Sequence, residues 1–581
     1  MSYSLIIGNG TIVDGTGAEP YPADIAVENG RIAVIAAPGA LANAAAQNRI
    51  DATGLLVTPG FVDIHTHYDG QITWDPQLTP SCWHGVTTVV MGNCGVGFAP
   101  VTPEKREWLI GLMEGVEDIP GAALSTGIRW DWQSFPQFLD ALDRLPLAID
   151  VGTQVPHGAV RAYVMGERGA KNDPASPEDI AMMAKLVREG IEAGALGFST
   201  SRTIVHRAID GEPVPGTFAA EEELFGIGQA LADAGAGVFE LAPAGIMGED
   251  LAAPDRELAW MLRLAEQTGR TVSFGLLQHD GAPDDWKRLL DAAAAAFDSG
   301  IPVRPQVSAR PLGLLIGLQT FNPFSFRPSY QAAAERAGQN LDALVAELRD
   351  PALRETILTE ADLPDNPMAF ISMGLDRTFT LGDPPDYEPD PEASLAADAA
   401  HAGVEPFHYI YDQLLSRDGR ALFYRPLLNY SRFTQDPIRE MLLHPATAVG
   451  LGDGGAHVGA ICDASNTTYL LTHWARDRAR GERIPLPLAI RKMTYDTAQM
   501  YGLDDRGVIA VGKKADLNVI DFEALRLLPP AMAYDLPGGA RRLLQRAEGY
   551  RATIVSGEVV LRDGEDTGAR PGALIRSQRS H

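Results

Sequence analysis

The feature that most constrains this chain is a repeated alternation. Between residues 60 and 455, eight short apolar runs, GFVDIHTH, TTVVMGNC, AIDVGTQVPH, ALGFSTS, AGVFELAP, TVSFGLLQ, IPVRPQVS and TAVGLGDGG, are separated by longer stretches. Those stretches carry helical patterning: PEDIAMMAKLVREGIEAG, AAEEELFGIGQALADAG and PDRELAWMLRLAEQTG space their apolar residues by three and four and stop at a glycine. Strands that alternate with helices pair in parallel, and eight of them predict an α/β fold of the (β/α)8 TIM-like barrel kind. The alternative, a doubly wound open sheet, would be expected to carry a GxGxxG after its first strand, and this sequence does not.

The two ends read differently. SLIIGNGTIVDG, DIAVENGRIAVIA and RIDATGLLVTPG alternate apolar and polar residues between Asn-Gly and Gly turns, as do KADLNVIDF and ATIVSGEVVLRDGE near the far end. This predicts a composite antiparallel β-sandwich from residues 1–59 plus 503–581, flanking a barrel over 60–502. Residues 311–444 are too long for one barrel loop and contain the helical patches NLDALVAELRD and PFHYIYDQLLS, so an inserted subdomain or lid is expected there.

Charge narrows the partners. Lys+Arg 48 against Asp+Glu 76 gives 48 − 76 = −28, which argues against nucleic acid and against anionic membrane surfaces. No basic segment followed by an apolar run opens the chain, and no uninterrupted apolar window is long enough to span a bilayer, so a soluble, cytoplasmic protein is expected. Cys82, Cys94 and Cys462 form an odd count without framework spacing, which fits a reducing compartment.

In a barrel of this kind the strand C-termini converge on one face, where function sits. His65 and His67 end the first predicted strand, with the i, i+2 spacing that puts both imidazoles on one side. Cys94 ends the second strand, His157 the third and Asp453 the eighth. Two imidazoles, a thiolate and a carboxylate are a Zn2+ donor set. For Cys94 the competing role is a small buried hydrophobe, and for Asp453 a turn residue between glycines.

GFVDIHTHYDGQITWDP followed by GVTTVVMGNCGVGFAPV resembles the amidohydrolase superfamily, in particular its D-aminoacylase (N-acyl-D-amino-acid deacylase) branch. RKMTYDTAQMYGLDDRGVIAVGKKADLNVIDF and TIVSGEVVLRDGE are similar to the matching C-terminal region. The resemblance implies a zinc-dependent hydrolase of linear amide bonds, acting on N-acyl-D-amino acids or related N-acyl amines. It implies His65, His67, Cys94 and Asp453 as metal ligands and Asp453 as the group that takes and returns the proton. A small-molecule substrate is the implied partner, with a homo-oligomer left open.

The departures from that pattern are as informative. Branch members supply histidines from strands five and six, but here the strands read VFELAPAG and VSFGLLQHDG, with Leu276 and Leu277 at the histidine positions. One Zn2+ rather than two is therefore favoured, with Glu240 as a replacement ligand or loss of the metal as the other outcomes. The branch also holds a substrate carboxylate with an arginine soon after the strand-eight aspartate, and this chain has none before Arg476. Arg202, Arg207 or Arg310 could take that part by forked hydrogen bonding. His157, Gln278, Arg310, His457 and Arg202 are accordingly expected as substrate contacts, His84 as structural, and His206 and His279 as loop residues. The weakened demand for a carboxylate leaves a cyclic-amide hydrolase as the second reading, and a non-catalytic assembly protein on the same scaffold as the third.

Overall fold

The architecture comes from a computed structural model that describes residues 2–364 and 374–577. The eight expected runs form one parallel sheet in sequence order: β1 (Phe61–Asp63), β2 (Val86–Met91), β3 (Asp150–Pro156), β4 (Gly197–Ser201), β5 (Val238–Ala242), β6 (Val272–Gly275), β7 (Val303–Val307) and β8 (Ala448–Val449). Between β8 and β1 the contact is a parallel bridge just beyond the strand ends, Thr66 to Gly454, with the His67 N–H donating to the Gly454 carbonyl at 2.8 Å. The sheet is thus a nearly closed barrel whose last seam is tied by the very loops that carry the predicted metal ligands.

The barrel strands are short and buried on both sides, which is why they read as continuous apolar runs rather than alternations. The three helices with glycine stops run over Pro177–Ala193, Glu221–Ala234 and Ala253–Thr268. Each terminates on a glycine in the left-handed region, Gly194, Gly235 and Gly269. Their apolar faces, including Val187, Leu231 and Leu264, pack onto the strands in one continuous core.

Strands from both ends of the chain share a single nine-stranded sheet. The joint is Leu56–Pro59 lying antiparallel to Leu517–Ile520, with Val57 opposite Val519. Its apolar face, with Leu5, Ile25, Val57, Leu517 and Ile554, forms a second core. The pairing is not purely antiparallel. Tyr3–Ile12 runs parallel to Ala46–Asp51 and to Leu56–Pro59, because the chain crosses back over residues 37–45 instead of closing a tight hairpin.

Residues 311–444 contain a three-stranded antiparallel sheet, Leu312–Ile316, Phe423–Leu428 and Phe379–Thr380, together with the helices Leu341–Leu348 and Pro406–Leu414 that the sequence pattern indicates. Ile316, Phe324, Leu348, Ile357 and Ile410 give this segment an apolar core of its own. Among the described residues, no helix is long and apolar enough to cross a membrane. The three cysteines are buried and unpaired.

Candidate metal centre at the barrel mouth

His65 and His67 leave β1 on the same side, while Thr66 between them turns its hydroxyl outward to the Val90 carbonyl at 2.9 Å. The predicted ligands meet. His65 Nε2 lies 3.4 Å from Cys94 Sγ and 3.4 Å from Asp453 Oδ1, and His67 Nε2 lies 3.7 Å from the same carboxylate oxygen. The donor atoms of His65, His67 and Cys94 all fall within 4.8 Å of one another.

The neighbours orient these donors. Gln306 on β7 accepts a hydrogen bond from His65 Nδ1 at 2.9 Å, which puts the ring proton there and leaves the Nε2 lone pair facing Cys94 and Asp453. Glu240 on β5 accepts the Cys94 N–H at 3.1 Å. Glu117, at the end of the helix Arg106–Glu117, brings Oε1 to 3.3 Å from His67 Nδ1 and Oε2 to 3.7 Å from His457 Nε2. Cys94, Asp453 and His457 all adopt left-handed backbone conformations, with φ of 55°, 44° and 53°. Such conformations cost on the order of 1–3 kcal/mol each in a non-glycine residue and persist where the surroundings enforce them.

The cluster is short of positive charge. Burial, then the repulsion of Asp453 and its neighbours, pushes the Glu117 carboxyl well above its usual range, and burial raises Glu240 to about 7. The Cys94 thiol is driven up by burial and by Glu240, Glu117 and Asp453. Burial depresses His67 to about 4, although Asp453 opposes it. Asp453 alone goes the other way: burial raises it, but the His67 hydrogen bond and the imidazoles hold it well below the carboxylate range. His67 Nδ1, Glu117 Oε1 and Glu240 Oε1 are buried without a hydrogen-bond partner among the described residues. Orphaned donors and acceptors around N, S and O ligands fit a divalent cation, which would reverse each of the unfavourable shifts.

These groups line a cavity of about 200 Å³. His457 lines it, and so does His206, which the sequence offered only as a loop histidine. Four expected substrate contacts are not brought to it. His157 is buried with Nδ1 2.8 Å from Thr200 Oγ1 and Nε2 2.8 Å from Glu223. Gln278 donates to the Pro283 carbonyl at 2.9 Å and accepts the Ser431 N–H at 3.1 Å, so it pins the returning end of the insertion. Arg310 is buried against Asp463 at 2.6 Å with its guanidinium 3.9 Å from the centre of the Tyr387 ring. Arg202 pairs with Glu257 at 3.2 Å and donates to the Ala219 carbonyl at 2.7 Å. All four sit near strand ends, but local acids and carbonyls satisfy them first. His84 is structural as expected, held between Thr468 and the Gln545 carbonyl.

The sequence reading missed Glu117 and Gln306. In MEGVED, Glu117 looks like any acid on an amphipathic helix, and only Val116 before it and Ile119 after it, both buried, hint that the helix end turns inward. Gln306 lies on β7 at the parity that faces the barrel interior, which is its one available signal.

Comparison with known proteins places the whole chain among related ones. Over 97% of its length the chain is 28% identical to an uncharacterized protein of Mycobacterium tuberculosis, covering 93% of that protein. It is 26% identical to a D-aminoacylase of Alcaligenes xylosoxydans xylosoxydans, covering 99% of this chain and 97% of the relative. Its fold is similar to the crystal structure of N-acyl-D-glutamate deacylase from Bordetella bronchiseptica complexed with zinc and a phosphonate inhibitor. There the TM-score is 0.63 at 22% identity, over 99% of this chain and all of that one. The amidohydrolase family pattern matches residues 49–561, nearly the whole chain, and the protein belongs to the amidohydrolase family.

Proposed function

We propose that the protein is a Zn2+-dependent hydrolase of linear amide bonds in N-acylated amines, with N-acyl-D-amino acids as the reference substrates. The observation that carries this reading is the meeting of His65, His67, Cys94 and Asp453 in one buried cavity at the barrel mouth. These four residues would hold the ion, and with no second set of histidines from β5 and β6 a single ion is the occupancy we favour. When bound, the ion supplies a water acidic enough to attack at neutral pH and polarises the acyl carbonyl.

The chain's own residues do the rest. Asp453 has its carboxylate beside both imidazoles and can take a proton from the attacking water and return it to the leaving nitrogen. The net change is one C–N bond broken and one C–O bond formed, with the proton of water ending on the amine. Gln306 and Glu240 fix His65 and the Cys94 backbone, so the donors keep their positions through the cycle. His457, next to Glu117 at the rim, is placed to help move the proton out to solvent. Leu312, Gly313, Leu427 and Leu428 of the insertion line the same cavity and support its reading as a lid that shapes the pocket.

The test is product formation, followed by mass spectrometry, from matched D and L panels of N-acyl amino acids, with neutral and cyclic amides alongside. Metal-stripped protein serves as the control. Metal-dependent cleavage of linear amides supports the reading; cleavage of cyclic amides alone replaces it with the hydantoinase-like alternative; and no metal-dependent cleavage rejects it.

A further inference from the structure

The cavity that holds the metal donors is walled by hydrocarbon. Leu241, Ile246 and Leu277 come from the barrel and its loops, and Leu312, Leu427 and Leu428 from the insertion. The wall continues to the surface, because Val205 and Met247, which also line the cavity, are 46% and 39% exposed. They lie on the loops after β4 and β5, which are tied together by the hydrogen bond from Thr203 to Glu249. An apolar path therefore leads from solvent to the donors.

The polar lining consists of carboxyls, imidazoles and one thiol, without a permanent cation among the described residues. Glu117, Glu240 and Asp453 face the cavity, and no lysine or arginine among the described residues does. Arg202 and Arg310 are committed to Glu257 and Asp463, and Arg207 donates to the Gly211 carbonyl in an exposed loop. A substrate carboxylate entering here would be stripped of water between apolar walls, with like charges ahead and no donor fork to receive it.

We infer that the amine-side portion of the substrate is uncharged and apolar. The site takes N-acyl amines, or N-acyl amino acids whose carboxylate is masked as an amide, in preference to free N-acyl amino acids. This inference rests on the amide-hydrolase reading above and narrows its substrate class.

The experiment compares kcat/KM of the Zn2+-reconstituted full-length protein on N-acetyl-D-phenylalanine, its primary carboxamide and N-acetylphenethylamine. Release of the deacetylated amine is followed by mass spectrometry, with chelated protein as control. Like-charge juxtaposition in a desolvated site predicts that both uncharged compounds exceed the free acid by about tenfold or more. A free acid cleaved as well as or better than its uncharged partners overturns the inference and leaves the hydrolase reading intact. Failure of all three compounds, in loaded and chelated protein alike, overturns both. A second arm installs the missing cation at the exposed rim. Met247→Arg is expected to shift the acid-to-carboxamide ratio of kcat/KM towards the acid by about tenfold. An unchanged ratio in a folded variant overturns the electrostatic basis of the inference.

Discussion

Two histidine clusters stand at the same end of the barrel, and their surroundings differ in kind. After β3, His157 gives one ring nitrogen to Thr200 and the other to Glu223, and Glu223 receives Arg161 Nη1 at 2.7 and 2.6 Å. Among the described residues, only Arg161 Nε in that cluster lacks a hydrogen-bond partner. After β1, by contrast, His67 Nδ1, Glu117 Oε1 and Glu240 Oε1 are buried without a hydrogen bond among the described residues, although His67 Nδ1 and Glu117 Oε1 lie 3.3 Å apart. The acids register the difference: Glu223 is burdened by burial yet held below its usual range by His157 and Arg161, whereas Glu117 is pushed far up. A histidine at a strand end is thus no site by itself. A buried cluster that closes its own valence is scaffold, and one that leaves donors and acceptors open is built for a ligand.

The sharpest way to break this comparison is to exchange the acid in each cluster. Asp453→Asn keeps the shape and removes the proton acceptor, so turnover should fall by about 10³-fold, within the usual range for a general acid or base. Its metal-free stability should fall modestly, because the imidazoles that hold Asp453 below the carboxylate range stabilise the folded state through its charge. Near-normal kcat measured on metal-loaded protein would remove Asp453 from the chemistry. A large fall in thermal midpoint with activity retained would place it among the scaffold residues instead.

Glu223→Ala should do the opposite. It strands a buried guanidinium and leaves His157 without its carboxylate, which typically costs about 3–5 kcal/mol. Urea unfolding would read that loss, while kcat of the protein that remains folded should stay within a factor of about 3, under 1 kcal/mol of barrier. If instead kcat collapsed without a change in unfolding midpoint, His157 would regain the substrate role that its position at the strand end suggests.

Cation binding separates the clusters by a third route. Zn2+ at about 100 times its dissociation constant should stabilise the stripped wild-type protein by about 2.7 kcal/mol through mass action. His67→Ala should abolish that increment, and His157→Gln should keep it, as read by thermal melts with and without the ion. Equal loss in both variants would mean that the two clusters are one coupled site.

What was readable in the sequence follows the same division. The barrel was legible because its strands are buried on both faces and its helices carry glycine stops, so periodicity alone marks them. His65, His67, Cys94 and Asp453 were legible because strand ends in a parallel barrel converge by topology, whatever the side chains do. Whether a given strand-end residue faces the cavity was not legible, since that depends on partners from distant segments. His157 is claimed by Glu223, Arg310 by Asp463 and Gln278 by Ser431. None of these pairings has a local signature. Glu117 was hidden for the converse reason: a helix-terminal acid becomes a site residue only when the loop after β2 folds it inward. His206, adjacent to Ser201 Oγ at 3.0 Å, enters the cavity by a loop path that periodicity cannot trace.

The smallest effect, and the one that tests the valence argument most directly, is the acid response of the satisfied cluster. Burial lowers the His157 imidazole below its usual value although Glu223 opposes it, and Glu223 is itself lowered by His157 and Arg161 against its own burial. Both groups therefore bind fewer protons in the folded state than in the unfolded one. By linkage, the stability they contribute is present above their ordinary values, about 6.5 for histidine and about 4.3 for glutamate, and is lost as the pH falls through and below them. Wild type should accordingly lose stability faster than His157→Gln as the pH is lowered from about 7 to about 5, and faster than Glu223→Gln below about 4.5. Urea unfolding at each pH, taken as the difference between wild type and variant, isolates the cluster from the many other carboxylates. A difference that stays constant with pH would mean that His157 and Glu223 titrate alike in both states, and the distinction between a closed cluster and an open one would have to rest on hydrogen-bond counting alone.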